Sequence, residues 1–240
     1  MKEADQIIQS APKEMQAMLK SVYNYNSSFN LLKEQEKLLP RILFAMSIID
    51  RKLFVEEHPY LDTAIGIGKG QTISQPSTVA RMIVLAELKE GDKVLEVGTG
   101  SGWNASLISL LVYPGNTLSI ERFLELAEKA QNNIKNLKRE LKKAHPEDIE
   151  KINPNIKAAN IFDFSSKSNF DKIIITAGIK EDKQEKEIEK IALKLLKNNG
   201  VLICPRTYGT LIIFGKKNRK ITRQETSERY VFVPLEEKTE

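Results

Sequence analysis

A cluster of three glycines behind a short apolar run is the part of the sequence best suited to binding a ligand. The stretch Glu96-Val97-Gly98-Thr99-Gly100-Ser101-Gly102 directly follows Val94-Leu95. Glycines in such a turn let the backbone bend tightly and let a ligand approach the main chain closely. The third glycine of a dinucleotide-binding G-x-G-x-x-G pattern is replaced by Trp103, and no Gly-Lys-Ser/Thr follows. The spacing therefore disfavours both NAD and a nucleoside triphosphate.

An acidic residue downstream supplies a partner for this turn. Glu121 stands 23 residues after Gly98, at the end of the next predicted strand. A carboxylate there can accept hydrogen bonds from both ribose hydroxyls of an adenosine group. The alternative interpretation is an ordinary strand-to-helix turn followed by an exposed acid that the helix dipole favours. Because both features occupy the expected places in one strand–helix–strand unit, we favour a nucleoside site.

The elements that must position these residues alternate regularly after Asp92. Apolar runs predict strands, and steps of three and four residues predict helices between them. We predict a doubly wound α/β fold: a mostly parallel Rossmann-like sheet with helices on both faces and an N-terminal helical appendage. We assign residues 1–78 to this appendage with a substrate-side segment, and 79–240 to the cofactor-binding domain, in one shared core. The predicted strands are 94–97, 118–120, one within 156–161, 172–176, 201–204, 210–214 and 230–233, and helices include 124–141 and 188–196, the latter ended by Gly200.

Composition excludes several classes of protein. The 240 residues carry 41% hydrophobic and 29% charged side chains, typical of a folded globular chain. One cysteine and two distant histidines give neither an internal disulfide nor a zinc spacing, so we expect no metal. Apolar runs far shorter than the roughly 18 residues that span a bilayer, and an N-terminus unlike a signal peptide, predict a cytoplasmic protein with no membrane partner. The net charge of +5 comes without basic runs interleaved with aromatics, which disfavours nucleic acid.

The glycine turn and its acid together resemble the class I S-adenosylmethionine-dependent methyltransferases. More narrowly, Val94 to Ala105 and Ile120-Glu121-Arg122 are similar to the protein-L-isoaspartate O-methyltransferases. The most specific part of the resemblance is Gly68-Lys69-Gly70-Gln71-Thr72-Ile73-Ser74-Gln75-Pro76, and Tyr230 to Leu235 resembles the closing strand of that family. The implied cofactor is S-adenosyl-L-methionine, and the implied substrates are isoaspartyl-containing peptides and proteins.

The resemblance also implies roles for individual residues. Ser74 is the expected catalytic residue at the methyl acceptor, with Gln71 and Thr72 binding the substrate. A serine two residues before a proline is equally a good helix N-cap, so spacing alone leaves Ser74 open between these two roles. Trp103 is interpreted as core packing. The expected cofactor-binding residues are Glu96, Gly98, Thr99, Gly100, Ser101, Gly102, Glu121 and Asp163, the last replacing a Gly-Asp-Gly segment of the family.

The chemistry that this family performs suits the residue types present. Methyl transfer to a carboxylate with a pKa near 4 needs no general base, because the acceptor is already ionised at neutral pH. We therefore expect a monomeric protein-repair enzyme that methylates isoaspartyl carboxylates. Arg206-Thr207, where the family tends to have Val-Gly, motivates the alternative of another carboxylate or a small-molecule substrate. An inactive cofactor-binding relative and an RNA methyltransferase are the remaining alternatives.

Overall fold

The protein consists of an N-terminal group of helices followed by alternating strands and helices. The computed structural model describes residues 2–166 and 169–237. These residues form seven α-helices: α1 (Lys2–Ser10), α2 (Lys13–Ser27), α3 (Lys33–Ile48), α4 (Pro76–Ala86), α5 (Trp103–Val112), α6 (Leu124–Ala144) and α7 (Asp182–Leu195). They also form eleven strands: β1 (Ile65–Gly68), β2 (Gln71–Ile73), β3 (Lys93–Val97), β4 (Asn116–Glu121), β5 (Asn155–Ala158), β6 (Phe170–Ile175), β7 (Leu196–Pro205), β8 (Tyr208–Gly209), β9 (Leu211–Lys217), β10 (Lys220–Glu225) and β11 (Tyr230–Val231).

Seven of the strands make the central sheet, in the order β5-β4-β3-β6-β7-β9-β10. The first five are parallel, and β9 and β10 are antiparallel at the edge. The chain runs outward from β3 to one side and then returns to β6 on the other, so the strand order reverses between β3 and β6. Ligands of open α/β sheets bind in the crevice at such a reversal, outside the carboxyl ends of the strands.

Successive side chains of the central strands enter two different cores, as the two-residue period of a strand requires. Val94 and Ile174 pack into a cluster shared with α1 to α6, whereas Leu95, Ile173 and Ile175 pack into a second cluster that contains the buried side of α7. Helices therefore cover both faces, and the predicted fold class is confirmed. No helix in residues 2–166 or 169–237 has the length and apolar character needed to cross a membrane.

The N-terminal helices pack onto the helices that flank the sheet. Their buried side chains, such as Leu19 in α2 and Leu43 in α3, belong to the same cluster as Ile83 in α4 and Trp103 in α5. Trp103 is 1% exposed, which confirms its interpretation as core packing. The predicted boundary between the appendage and the cofactor-binding domain, after residue 78, falls within α4 and stays a prediction. Residue 1 of the first part and residues 238–240 of the second lie outside the described ranges.

The junction between the last helix and the strand after it differs from the prediction. Helix α7 begins at Asp182 and ends at Leu195, and β7 begins at Leu196, four residues before the glycine that was expected to end the helix. Leu196 is fully buried and pairs with Phe170 on β6. The pairing register then shifts before Val201, and Asn199 adopts a positive φ of 65°. The polar segment 197–200 is thus an irregularity within β7. The strand begins four residues earlier than expected because Leu196 is buried and paired with β6.

Two hairpins lie at the periphery. The first joins β9 and β10, which pair with Lys217 opposite Lys220. The antiparallel pair β1–β2 was not predicted, because its strands are only four and three residues long and rich in glycine. This hairpin carries Gln71 and Thr72 towards the carboxyl edge of the central sheet.

A buried carboxyl group is hydrogen-bonded to the glycine turn through Ser119. Glu96, on β3, is completely buried and accepts hydrogen bonds from Asn104 Nδ2 at 2.8 Å and from the Ser119 hydroxyl. The Ser119 hydroxyl is in turn hydrogen-bonded to that of Thr99, within the turn. Burial, and to a lesser degree the charge of Glu121, raise the pKa of Glu96 to about 8, although the Ser119 and Asn104 hydrogen bonds oppose the shift.

We expect Glu96 to make the protein less stable as the pH rises. Its ordinary pKa is 4.5, so between that value and about 8 the folded state holds a proton that the unfolded state has lost. The free energy of unfolding should therefore fall through this window, by at most about 1.4 kcal/mol per pH unit from this group. Urea denaturation at several pH values should show that Glu96→Gln removes this component.

The matched control is Glu128→Gln, which changes an exposed acid on α6. Its pH dependence should follow that of the wild type. Parallel stability curves for the wild type and Glu96→Gln across the window would contradict the assignment of a protonated Glu96.

Candidate functional site

A cleft opens at the carboxyl edge of the sheet, where the strand order reverses. Its floor is the end of β3 and the glycine turn on one side, and Thr176-Ala177 after β6 on the other. The segments that follow β4 and β5, the hairpin strand β2 and the C-terminal segment form the walls. The lining residues are Gln71, Thr72, Val97, Gly98, Gly100, Ile120, Glu121, Arg122, Ala159, Asn160, Ile161, Thr176, Ala177, Val233, Pro234, Leu235 and Glu236.

The glycine turn is held between its two neighbouring strands. Gly98 has a φ of +98°, and a Cβ there would collide with the Thr176 hydroxyl, which donates to the Gly98 carbonyl at 2.8 Å. Gly100 has a φ of +53°, and its amide donates to Glu121 Oε2 at 2.9 Å. Both positions therefore require glycine, one for close approach and the other for a left-handed backbone. The turn presents bare main chain to the cleft.

Glu121 is the acidic group of the cleft. It ends β4, is only 5% exposed, and accepts hydrogen bonds from the amides of Gly100 and of Phe123, the latter at 3.1 Å. Each carboxylate oxygen has a second lone pair after accepting one bond. An oriented carboxylate beside bare backbone can thus accept hydrogen bonds from a pair of vicinal hydroxyls.

The wall beyond β5 differs from the prediction. Asp163, expected to bind the cofactor, is exposed on the following turn and is not a lining residue. The buried Asn160 lines the cleft instead, between Ala159 and Ile161. Its Nδ2 donates to the carbonyls of residues 236 and 237, at 3.2 and 3.1 Å. The asparagine side chain is occupied in joining this wall to the C-terminal segment, and the apolar neighbours form a slot suited to a flat base.

The C-terminal segment was not predicted to belong to the site. Val233 accepts a hydrogen bond from the Gly178 amide at 2.7 Å, and the Leu235 amide donates to the Gly178 carbonyl at 2.7 Å. Gln184 Nε2 on α7 also donates to the Leu235 carbonyl, at 2.9 Å. These bonds fix residues 233–236 along the cleft. The sequence signal was only the similarity of 230–235 to a closing strand.

The hairpin strand β2 forms one wall of the cleft, and Ser74 follows it in the chain. Gln71 and Thr72, which were predicted to bind the substrate, line the cleft, whereas Ser74 lies just beyond it, half-buried between β2 and α4. The Ser74 hydroxyl makes no hydrogen bond with any residue in the described ranges. The N-cap of α4 is Gln75, and Asp62 supplies the missing acceptor by accepting the Ser77 amide at 2.8 Å. The capping interpretation of Ser74 is therefore wrong, and its hydroxyl is available to another group.

The remaining predicted cofactor residues do not line the cleft; they make contacts on the side of the turn away from it. Glu96 and Thr99 belong to the buried hydrogen-bond network described above. Ser101 is buried, and its carbonyl accepts a hydrogen bond from Asn133 at 2.9 Å. Gly102 is the N-cap of α5 and packs against Ala130. None of these four residues lines the cleft.

The donor set of the cleft fits an adenosyl group. The buried Glu121 carboxylate suits ribose hydroxyls, bare backbone at Gly98 and Gly100 permits close approach, and the apolar slot beside Ile120 and Ile161 suits a base. A cluster of His145, Glu147 and Asp148 could hold a metal ion, but it lies after α6 and shares no residue with the cleft. The chemical groups of the cleft thus match a nucleoside-based cofactor.

Comparison with known proteins agrees with this geometry. The family model for protein-L-isoaspartate(D-aspartate) O-methyltransferases matches residues 26–240. The chain is 36% identical over 211 residues to the protein-L-isoaspartate O-methyltransferase of Fervidobacterium nodosum, covering 82% of this chain and 94% of that protein. It is 42% identical over 195 residues to the enzyme of that name from Pyrococcus horikoshii, covering 77% and 80%.

A solved structure is similar over most of its length. It comes from Plasmodium falciparum and is described as a protein-L-isoaspartate O-methyltransferase in complex with S-adenosyl-L-homocysteine. The TM-score is 0.69 at 26% identity, covering 85% of this chain and 97% of that one. On the family match and the two relatives together, this chain belongs to the protein-L-isoaspartate(D-aspartate) O-methyltransferase family.

Proposed function

We propose that this chain transfers a methyl group from S-adenosyl-L-methionine to the free carboxylate of isoaspartyl residues in damaged proteins. The observation that carries the proposal is the Glu121 carboxylate, oriented by the Gly100 amide in a cleft that Gln71 and Thr72 also line. Family membership and the names of the relatives support the same activity. The ester formed on an isoaspartyl residue is labile, and its collapse through a succinimide regenerates part of the normal aspartate, so the role is protein repair.

Residues from three strand ends would hold the cofactor. Glu121 would accept hydrogen bonds from the ribose hydroxyls, the backbone of residues 98–100 would hold the methionyl part, and residues 159–161 would contact the base. When bound, S-adenosylmethionine supplies a methyl group on a sulfonium, whose sulfur keeps the electron pair of the broken bond. Glu96, Thr99, Ser101 and Gly102 act indirectly, by fixing the conformation of the turn.

The acceptor is held by the hairpin side of the cleft. An ionised carboxylate needs no base, so the chain must orient it and exclude water. We assign this task to the Ser74 hydroxyl and to the side chains of Gln71 and Thr72. Correct alignment of two reactants can contribute on the order of 7–11 kcal/mol to lowering a barrier, which makes positioning the main catalytic device here.

The activity is tested by transfer of labelled methyl groups to two peptides that differ only in one aspartyl or isoaspartyl linkage. Base-labile label should appear on the isoaspartyl peptide alone. Label on neither peptide, from protein that still binds S-adenosylhomocysteine, would contradict the substrate assignment and favour another carboxylate.

Glu121→Gln should weaken S-adenosylhomocysteine binding. The variant keeps the size of the side chain but loses its charge and one acceptor oxygen. The backbone hydrogen bonds from Gly100 to Oε2 and from Phe123 to Oε1 therefore cannot both persist, and the ribose hydroxyls lose an acceptor. Loss of a charged hydrogen bond corresponds to roughly a tenfold to hundredfold increase in Kd, measured by calorimetry. Glu128→Gln, on the exposed side of α6, should bind as the wild type does; equal affinities of all three proteins would contradict the ribose contact.

Ser74→Ala should lower kcat for the isoaspartyl peptide by roughly tenfold or more, because a hydroxyl that orients a charged acceptor is lost. Binding of S-adenosylhomocysteine and the melting temperature should change little, since the hydroxyl bonds to no described residue. Ser10→Ala, which removes an exposed hydroxyl of α1, is the control and should leave kcat unchanged. A Ser74→Ala enzyme with full turnover would exclude the acceptor role.

A further inference from the structure

Arg51 is a completely buried cation just after α3, outside the cleft itself. Its guanidinium donates to four backbone carbonyls, those of Pro59 (2.8 Å), Leu61 (3.2 Å), Thr63 (3.0 Å) and Ser74 (3.1 Å). All four carbonyls lie in irregular segments, outside the helices and strands.

The bonds join two segments that are distant in sequence. Residues 59–63 form a partly exposed loop, and Ser74 lies between β2 and α4. The two segments also meet through Asp62, which accepts hydrogen bonds from both the amide and the hydroxyl of Ser77 in the first turn of α4. We call Arg51, Asp62 and Ser77 the acceptor-side clamp.

The clamp is also attached to the cofactor side. The Arg51 guanidinium carbon lies 5.4 Å from the ring centre of Trp103, the first residue of α5, directly after the glycine turn. The Trp103 indole N–H donates to the Ile49 carbonyl at 3.0 Å. One planar group therefore contacts the backbone of Ser74 and the helix that begins where the glycine turn ends.

The charge of Arg51 is retained in this environment. Burial lowers the pKa of Arg51 to about 10, and the nearby Asp62 carboxylate opposes that shift, so the side chain stays protonated at neutral pH. A buried cation needs dense hydrogen bonding, and the rigid fork of a guanidinium can satisfy several carbonyls in one plane. The same bonds fix the carbonyl of Ser74 and hence the position from which its side chain projects.

We infer that the acceptor-side clamp positions Ser74 against the cofactor cleft, making Arg51 a positioning residue for the methyl acceptor. The inference rests on the proposed acceptor role of Ser74. Arg51 acts through the backbone of Ser74 and touches neither reactant, so its loss should impair use of the peptide while leaving cofactor binding intact.

The test compares Arg51→Lys, Ser74→Ala and the double variant. Lysine keeps the charge but offers a single nitrogen that cannot reach all four carbonyls. We expect kcat/KM for the isoaspartyl peptide to fall roughly tenfold to a hundredfold in Arg51→Lys, because small misplacements of reacting groups have effects of that size. The Kd for S-adenosylhomocysteine should stay within about twofold. In the double variant the two losses should combine to less than their product, because both act through one side chain.

Lys172→Met is the matched control. It removes another buried cation, near the amino end of β6 and away from the cleft. This substitution should leave kcat/KM unchanged, even where it lowers the melting temperature. If Arg51→Lys does not fold, Ser77→Ala is used in its place, since it removes only one hydroxyl of the clamp and should show a smaller loss of the same kind. The inference would be overturned if either variant kept the wild-type kcat/KM or lost cofactor affinity in parallel. It would also be overturned if the loss of kcat/KM in either variant multiplied fully with the loss caused by Ser74→Ala.

Failure of the proposed function would already appear in the wild type, as no label on the isoaspartyl peptide, whereas failure of the clamp inference appears only in the variants. If Ser74→Ala alone keeps the wild-type kcat/KM, the acceptor role of Ser74 is excluded and the clamp inference falls with it. If Ser74→Ala is impaired but the clamp variants are not, only the clamp inference is overturned.

Discussion

The hydrogen bond from the Gly100 amide to the Glu121 carboxylate is the contact on which the cleft depends. It joins the turn after β3 to the end of β4, and Phe123 donates to the other oxygen of the same carboxylate. A carboxylate that is only 5% exposed must be hydrogen-bonded to remain there in its charged form. The backbone amides meet this need from one side and leave the side facing the cleft for a ligand. On the opposite flank the Thr176 hydroxyl donates to the Gly98 carbonyl, so the turn is fixed between both neighbouring strands.

The two acids near the turn have opposite electrostatic roles. Glu96 has a pKa raised to about 8 by burial and is mainly protonated at neutral pH, whereas Glu121 is stabilised by two backbone donors. The charge of Glu121 itself contributes to keeping Glu96 neutral. The first acid of the glycine motif is thus a hydrogen-bonding support for the turn, and the acid on the next strand provides the negative charge of the cleft. Their order in the sequence does not reveal this division, because it depends on which side chain the fold buries completely.

The parts of the site that could be predicted from the sequence are those with local patterns. The glycine turn, Glu121 and the alternating elements lie within one strand–helix–strand unit, where period and spacing are informative. Asn160 and residues 233–236 could not be identified in this way, because they meet through side chain–backbone bonds across more than 70 residues. The role of Ser74 was undecidable for a similar reason: the cap of α4 comes from Asp62, and no rule of helix capping anticipates an acceptor supplied from another loop. Asp163 was favoured by alignment with a motif, but the turn after β5 brings Asn160 to the cleft instead.

The two sides of the cleft are built from different kinds of structure. The cofactor side consists of the ends of buried parallel strands, whose positions the sheet fixes. The proposed acceptor side is a short hairpin with a partly exposed loop beside it, and both lie outside the central sheet. A reaction without a general base gains its rate from alignment, so segments that the central sheet does not fix need their own constraint. The bonds of Arg51 to four carbonyls and its cation–π contact with Trp103 supply such a constraint, and they tie the geometry of the proposed acceptor segment to the helix that begins after the glycine turn.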